Sequence, residues 1–379
     1  MRKFKTVFMR GGTSKGCMFL KEDLPENREE WDDIFLQTMG SPDPKQIDGM
    51  GGSVSSNNKI VIVWKSEKPQ VDVEYLVGQV VVGKNQVDYK SNCGNMTAAV
   101  GPFAVEEGLV GIKEPVTNVH LFNCNTNQYI DVTVPIDEET KTFAQEGTCT
   151  IAGVDGTAAE LNVKFKNPAG SKTGELLPTG NVTDTLEIPG FGPVKVSILD
   201  VSNPMVIVDA KDLGATCTEQ PGEINGNKAL SDLLEDIRGT ACCKMGFAKD
   251  LEDARENSPA VPKIGLVAAP SSYVDIAGRT VEKEDMDLCA RVISVFECHK
   301  ACPLTSASAI SVAASLEGSV VEKVIGEIAK EGEIRIGHPS GTMTMCPEIK
   351  EENGVLEIPS VGVQRTARRI MEGTIYIRK

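Results

Sequence analysis

Cys93 sits in the run Ser91-Asn-Cys-Gly-Asn95, where a strand-like stretch over residues 71–87 gives way to a small-residue, helix-like stretch. That order predicts a thiol at a helix N-terminus, where unpaired amides and the positive end of the helix dipole favour an anion. Such a position favours the thiolate, the form that takes up and returns a proton. The amides of Gly94, Asn95 and Met96 equally suit a substrate carboxylate. Lys59 ends the polar, Gly-rich loop 49–59 and stands at the mouth of an apolar run. Facing Cys93, it would stabilise the thiolate or carry a proton itself; facing water, it is a solvated strand-end charge. The turn Arg10-Gly-Gly-Thr-Ser-Lys-Gly16 presents the Ser14 hydroxyl, a lysine and free amides. It is not a phosphate loop, because Gly11-x4-Gly16 is followed by Cys17-Met18 rather than Lys-Ser/Thr. It reads either as a carboxylate cradle or as a plain glycine turn. In the second half, Lys300 offers positive charge beside Thr305 and Ser306, and His338-Pro-Ser-Gly341 is a further turn after a strand.

Elements that could hold these residues alternate along the chain. Strand-like alternation falls near 3–9, 60–64, 71–83, 128–134 and 161–166, then 193–200, 205–208, 264–268, 333–337 and 373–378. Asn27 with Glu30 resembles a capping box opening a helix through about Met39. Residues 226–238 and 320–330 read as amphipathic surface helices. Residues 283–297 read as a helix with Met286, Ala290, Ile293 and Phe296 on one face. Two runs rich in Ala, Ser and Gly, after Cys93 and over 305–315, echo one another and predict helices buried on every side. Pro102 should kink the first. Gly/Pro-rich segments between 167 and 193 separate the halves, so the expected domains are 1–186 and 187–379, with the last strand able to return to the first domain.

Composition narrows the function. A chain of 379 residues exceeds one typical core, and 40% hydrophobic with 25% charged residues is ordinary for a globular protein. No run approaches the ~20 apolar residues of a membrane span. The first eight residues read as a strand rather than a signal peptide, so a cytoplasmic location is expected. A net charge of −15 argues against nucleic acid and anionic membranes as partners. Eleven cysteines without a Cys-x-x-Cys pair, and three histidines, supply a metal site poorly. The closest spacing, Cys298-His299-x-x-Cys302, reads as core packing. Neither metal nor other cofactor is expected; a small-molecule unsaturated di- or tricarboxylate is, and a homo-oligomer is compatible with these features.

The motifs Gly11-Gly-Thr-Ser-Lys-Gly16, Ser91-Asn-Cys-Gly-Asn95, Gly101-Pro-Phe-Ala104, His299-Lys-Ala301 and His338-Pro-Ser-Gly341 together resemble the 2-methylaconitate isomerase family. That family includes 3-methylitaconate Δ-isomerase, which this chain resembles most, and 4-oxalomesaconate tautomerase. The resemblance implies a diaminopimelate-epimerase-like α/β (α+β) fold of two similar domains. Each is a mostly antiparallel curved sheet wrapped round a central helix, with the active site in the cleft between them. It implies Cys93 and Lys59 as the catalytic proton-transfer pair, and a place in nicotinate catabolism. Ser14, Gly94, Asn95, Met96, Lys300, Thr305 and Ser306 become the expected substrate-binding residues. The related epimerases use one cysteine from each half. Here the second position falls near Pro303, with Cys302 beside it, which departs from a two-thiol mechanism.

Overall fold

The computed structural model describes residues 1–89, 93–326, 331–352 and 355–378; Ser91 and Asn92 of the cysteine motif lie outside them. The chain divides into two compact units, Met1–Lys166 with Gln364–Lys379, and Asn167–Val363. The change of unit thus comes at residue 167 rather than near 186, and the Gly/Pro-rich stretch belongs wholly to the second unit.

The first unit opens with the hairpin β1 (Arg2–Gly11) and β2 (Ser14–Leu20), followed by α1 (Trp31–Met39). Next, β3 (Lys59–Lys65) joins β2 in parallel and β4 (Val73–Val80) runs antiparallel to β3. A short β5 (Val87–Asp88) precedes α2 (Gly94–Glu106). After α2, β6 (Val116–Asn123) lies parallel to β4, and β7 (Gln128–Pro135) and β8 (Leu161–Lys166) extend the sheet antiparallel. Asn27 opens the first helical turn by accepting from the Glu29 amide, and α1 then lays Ile34, Phe35 and Met39 against Phe19, Ile60 and Ile62. On the other sheet face sits α2, touching β1, β2, β3, β6, β7 and β8, with every residue from Met96 to Val105 buried. Its Ala, Gly and Thr content is what lets strands approach from all sides. Pro102 lies inside it and the helix continues to Glu106.

In the second unit, β9 (Asp184–Ile188), β10 (Gly192–Val201) and β11 (Asn203–Asp209) form a meander, followed by α3 (Pro221–Gly226), α4 (Lys228–Lys244) and α5 (Leu251–Asn257). β12 (Lys263–Ala268) pairs parallel to β11. A small hairpin, β13 (Tyr273–Val274) with β14 (Thr280–Val281), leads to β15 (Leu288–Ser294), antiparallel to β12, and to β16 (Glu297–Cys298). Then come α6 (Leu304–Ala314) and α7 (Val320–Val324). β17 (Ile334–His338) lies parallel to β15, and β18 (Gly341–Glu352) and β19 (Val355–Arg365) follow antiparallel. The last strand, β20 (Ala367–Ile377), pairs with β1 in the first unit.

The two units share one pairing plan: hairpin, parallel step, antiparallel step, buried helix, parallel step, antiparallel pair. In it β10, β11, β12, β15, α6 and β17 stand for β1, β2, β3, β4, α2 and β6. The expected echo between the two small-residue runs is therefore a topological repeat.

Three expectations change. Residues 283–297 form a 3₁₀ turn and strands, not a helix. β15 is buried on both faces, so its continuous apolar run carries no period-2 signal and imitates a helical stripe. Helix α7 ends at Val324, residues 327–330 of the predicted 320–330 lying outside the described residues. Strands β2, β6, β9, β13, β14, β18 and β19 had no counterpart in the sequence reading. Among the described residues no helix is long and apolar enough to cross a membrane.

Candidate active site

The β1–β2 turn rests directly on the start of α2. A Cβ on Gly11 would come within 2.5 Å of the Asn95 carbonyl oxygen, and one on Gly12, whose φ is +51°, within 2.3 Å of the Asn95 side chain. Only glycine fits that approach. Arg10 secures the turn, donating to the carbonyls of Gly12 and Thr366 at 2.9 and 3.0 Å. Thr13 Oγ1 accepts from Asn95 Nδ2 at 3.0 Å, so the Asn95 side chain locks turn to helix and leaves its backbone amide as the group available to a ligand.

Cys93 is the N-cap of α2, in extended conformation, and its side chain caps no amide of its own helix. Its carbonyl accepts from the Thr97 amide at 3.0 Å, closing the first turn. The thiol donates to Ser14 Oγ at 3.8 Å, and the two residues are only 8% and 5% exposed. Gly94, Asn95 and Met96 supply first-turn amides with no acceptor inside the helix. The Met96 side chain is fully buried, which leaves only its backbone amide at the helix start.

Lys59 begins β3 on the same sheet face. Lys59 pairs with Gly16 in parallel register and with Gln79 in antiparallel register, and Val63 pairs with Tyr75. Side chains alternate along a strand, so Ser14, Gly16, Lys59, Tyr75 and Gln79 share a face. Tyr75 identifies it as the α2 face, because its hydroxyl bonds to Thr97 Oγ1 at 2.8 Å. Strand rise and spacing put the Ser14 and Lys59 Cα atoms about 8 Å apart. Gly16 has no room for a side chain: a Cβ there would lie 2.0 Å from the Lys59 carbonyl oxygen. Lys59 Nζ donates to Gln79 Oε1. The Gln79 amide nitrogen donates to the carbonyls of Asn58 and Val80, at 3.1 and 2.9 Å, which orients the amide with its oxygen toward the lysine. The Gly-rich loop before Lys59 is pinned at Gln46, Val54 and the fully buried Asn58.

The second unit holds a related arrangement. α6 starts after Pro303 with no side-chain cap, and Thr305 Oγ1 accepts from Lys263 Nζ at 3.5 Å. Burial lowers the Lys263 ammonium below its ordinary pKa. Ser306 is 2% exposed, and its hydroxyl has no partner among the described residues. Cys302, beside the N-cap, is buried and its thiol is pushed up to about 12 by desolvation, which keeps it protonated and inert as a base. Lys300 is exposed, and its carbonyl, not its ammonium, engages Ser340. Arg291, a second cation in this unit, is fully buried on the sheet face opposite α6. It donates to the Glu219 and Ala290 carbonyls at 2.8 and 2.9 Å and lies over the Tyr273 ring. It cannot meet a substrate there.

Within the first unit the structure brings together Ser14, Cys93 and the amides of residues 94–96, with Lys59 on the same face; in the second it groups Thr305 and Ser306. The sequence reading missed Lys263 and Gln79. A signal for the first was present: Lys59-Ile-Val-Ile-Val63 and Lys263-Ile-Gly-Leu-Val267 repeat a lysine at the head of an apolar strand.

A mostly antiparallel sheet bent round a small-residue helix, built twice, with a thiol at one helix start, defines the epimerase-like α/β class expected from the motifs. The chain belongs to the PrpF protein family, whose profile matches residues 1–378. It is 40% identical over 374 residues to a 3-methylitaconate isomerase from Eubacterium barkeri, covering 98% of this chain and 97% of that one. It is 39% identical over 390 residues to a 2-methyl-aconitate isomerase from Shewanella oneidensis, covering 100% and 97%. The crystal structure of a methylitaconate-delta-isomerase superposes with a TM-score of 0.89 at 40% identity, covering 99% of this chain and 96% of that one.

Proposed function

We propose that this protein is a cofactor-independent allylic isomerase of an unsaturated dicarboxylate, converting 3-methylitaconate to 2,3-dimethylmaleate in the cytoplasm. One observation carries the reading: a thiol at the start of a buried helix, bonded to Ser14, on the sheet face that also bears Lys59. A base, the Cys93 thiolate or the neutral Lys59 amine, removes the proton from the carbon bearing the methyl group. The C–H electron pair moves into the adjacent C=C system, giving a dienolate. The conjugate acid of the pair then protonates the methylene carbon, so one C–H bond breaks, one forms, and no net proton is exchanged. Among the described residues no carboxylate forms an ion pair with Lys59, and its acceptor, Gln79, is uncharged. The amides of Gly94, Asn95 and Met96, with Ser14, stabilise the charge on the dienolate. One preorganised donor contributes roughly 3 kcal/mol, and a positioned acid or base adds about 10²–10⁴-fold. Thr305 and Ser306, joined by Lys263 and with Lys300 nearby in sequence, bind a substrate carboxylate.

Lys263 also favours a second reading, 2-methylaconitate cis–trans isomerisation, because a tricarboxylate requires a further cation. Deciding between them takes the wild-type enzyme with methylitaconate, methylaconitate and oxalomesaconate side by side, following conjugated-diacid absorbance and deuterium uptake from heavy water. Turnover with deuterium uptake on methylitaconate alone supports the first reading, and on methylaconitate alone the second. Activity on oxalomesaconate alone assigns the tautomerase activity instead. A protein that binds these acids and neither changes the absorbance nor exchanges deuterium is a binding module, and the isomerase reading fails.

A further inference from the structure

We infer that Gln79 is a positioning residue for Lys59, acting through the lysine and not on substrate; this rests on the proton-transfer role proposed for Lys59. Gln79 is the residue paired with Lys59 across β3 and β4, and its side chain is fully committed. Both of its amide donors are taken by main-chain carbonyls, Asn58 on the neighbouring strand's approach and Val80 on its own strand. That fixes the amide plane and turns Oε1, the acceptor of Lys59 Nζ among the described residues, toward the lysine. Asn58 is itself fully buried and tied to Gln46 and Val54, so the hold on the amide traces back to a buried, hydrogen-bonded position rather than to solvent.

A free lysine samples many rotamers, and ordering it for proton transfer costs side-chain entropy. A fixed neutral acceptor supplies that order without an ionic bond, which would hold the ammonium charged. The second unit shows the alternative. Continuing the β12–β15 register one step past Ile264 and Ile293 places Ser294 opposite Lys263. Serine is too short to reach the ammonium, and Lys263 turns to Thr305 on the helix instead. The long amide thus occurs in the unit whose lysine is proposed to transfer protons.

The test uses full-length protein labelled with ε-¹³C lysine, with the Lys59 resonance identified by its loss in Lys59→Arg. In Gln79→Met the Lys59 signal should move while other lysine signals stay in place. Turnover of methylitaconate should fall about 10- to 100-fold in kcat, with KM changed less than about threefold, as expected for a misplaced proton carrier. Gln79→Leu serves if the methionine variant melts well below wild type. An unmoved Lys59 resonance, a kcat within about twofold of wild type, or a loss residing in KM each overturns the positioning role. Full turnover by Lys59→Ala is a different failure: it sinks the proton-transfer reading, and the resonance still reports whether Gln79 holds the lysine.

Discussion

The two units build the same corner from the same topology and equip it differently. In each, a parallel strand begins with Lys-Ile, at Lys59 and at Lys263, on the sheet face that packs a buried small-residue helix. In the first unit the helix begins at Cys93, whose thiol touches Ser14, and the lysine is held by an uncharged amide. In the second it begins at Pro303, the adjacent Cys302 is sealed in a desolvated position, and the lysine is half-buried against a helix hydroxyl. A duplicated scaffold has kept its geometry and divided its chemistry. On the proposed reading, the first corner moves the proton and the second holds an anionic group of the substrate.

The largest effect expected is that of Cys93→Ala, which should abolish turnover, with loss of at least about 10³-fold in kcat and an unchanged circular dichroism spectrum. Retained activity would remove the feature that sets the first corner apart. Lys59→Ala should follow, with a loss of about 10²–10⁴-fold that resides in kcat. A change confined to KM would make both lysines anion binders and erase the division. For Lys263→Met the substrate KM should rise about tenfold, the loss of one charge-assisted contact, with kcat affected less. Its stability should move the other way. Burial lowers the Lys263 pKa from 10.5, so the unfolded chain holds that proton more tightly. Carrying the charge therefore costs stability at neutral pH, and the cost fades as pH rises through the lowered value toward 10.5. The variant should melt higher than wild type at pH 7, and the gain should shrink as the pH approaches 10. The smallest effect should come from Cys302→Ala, with kcat within about twofold of wild type because a protonated, buried thiol carries no proton at neutral pH. Inactivity there, in a folded protein, would restore a symmetric two-thiol scheme.

Much of this was already written in the chain. The small residues after Cys93 and over 305–315 required helices that strands could crowd, and a helix start fixed by composition put the thiol at its N-cap. The glycines at 11 and 12 read as a turn, and the fold adds why both are glycine: they lie against the backbone and side chain of Asn95. Even the apolar strands headed by Lys59 and Lys263 are visible as local patterns.

Facing, however, was decided only in three dimensions. Strand alternation says that neighbours point opposite ways, yet not which way is toward the helix. That is why Lys263, on the helix face, was overlooked, and why only the fold shows Arg291 to be buried on the far face. A strand buried on both sides loses its alternation, so residues 283–297 imitated a helix. Gln79 meets Lys59 across a separation of twenty residues through register alone, and register is set by the packing of a whole sheet, a non-local quantity that no short window of sequence contains.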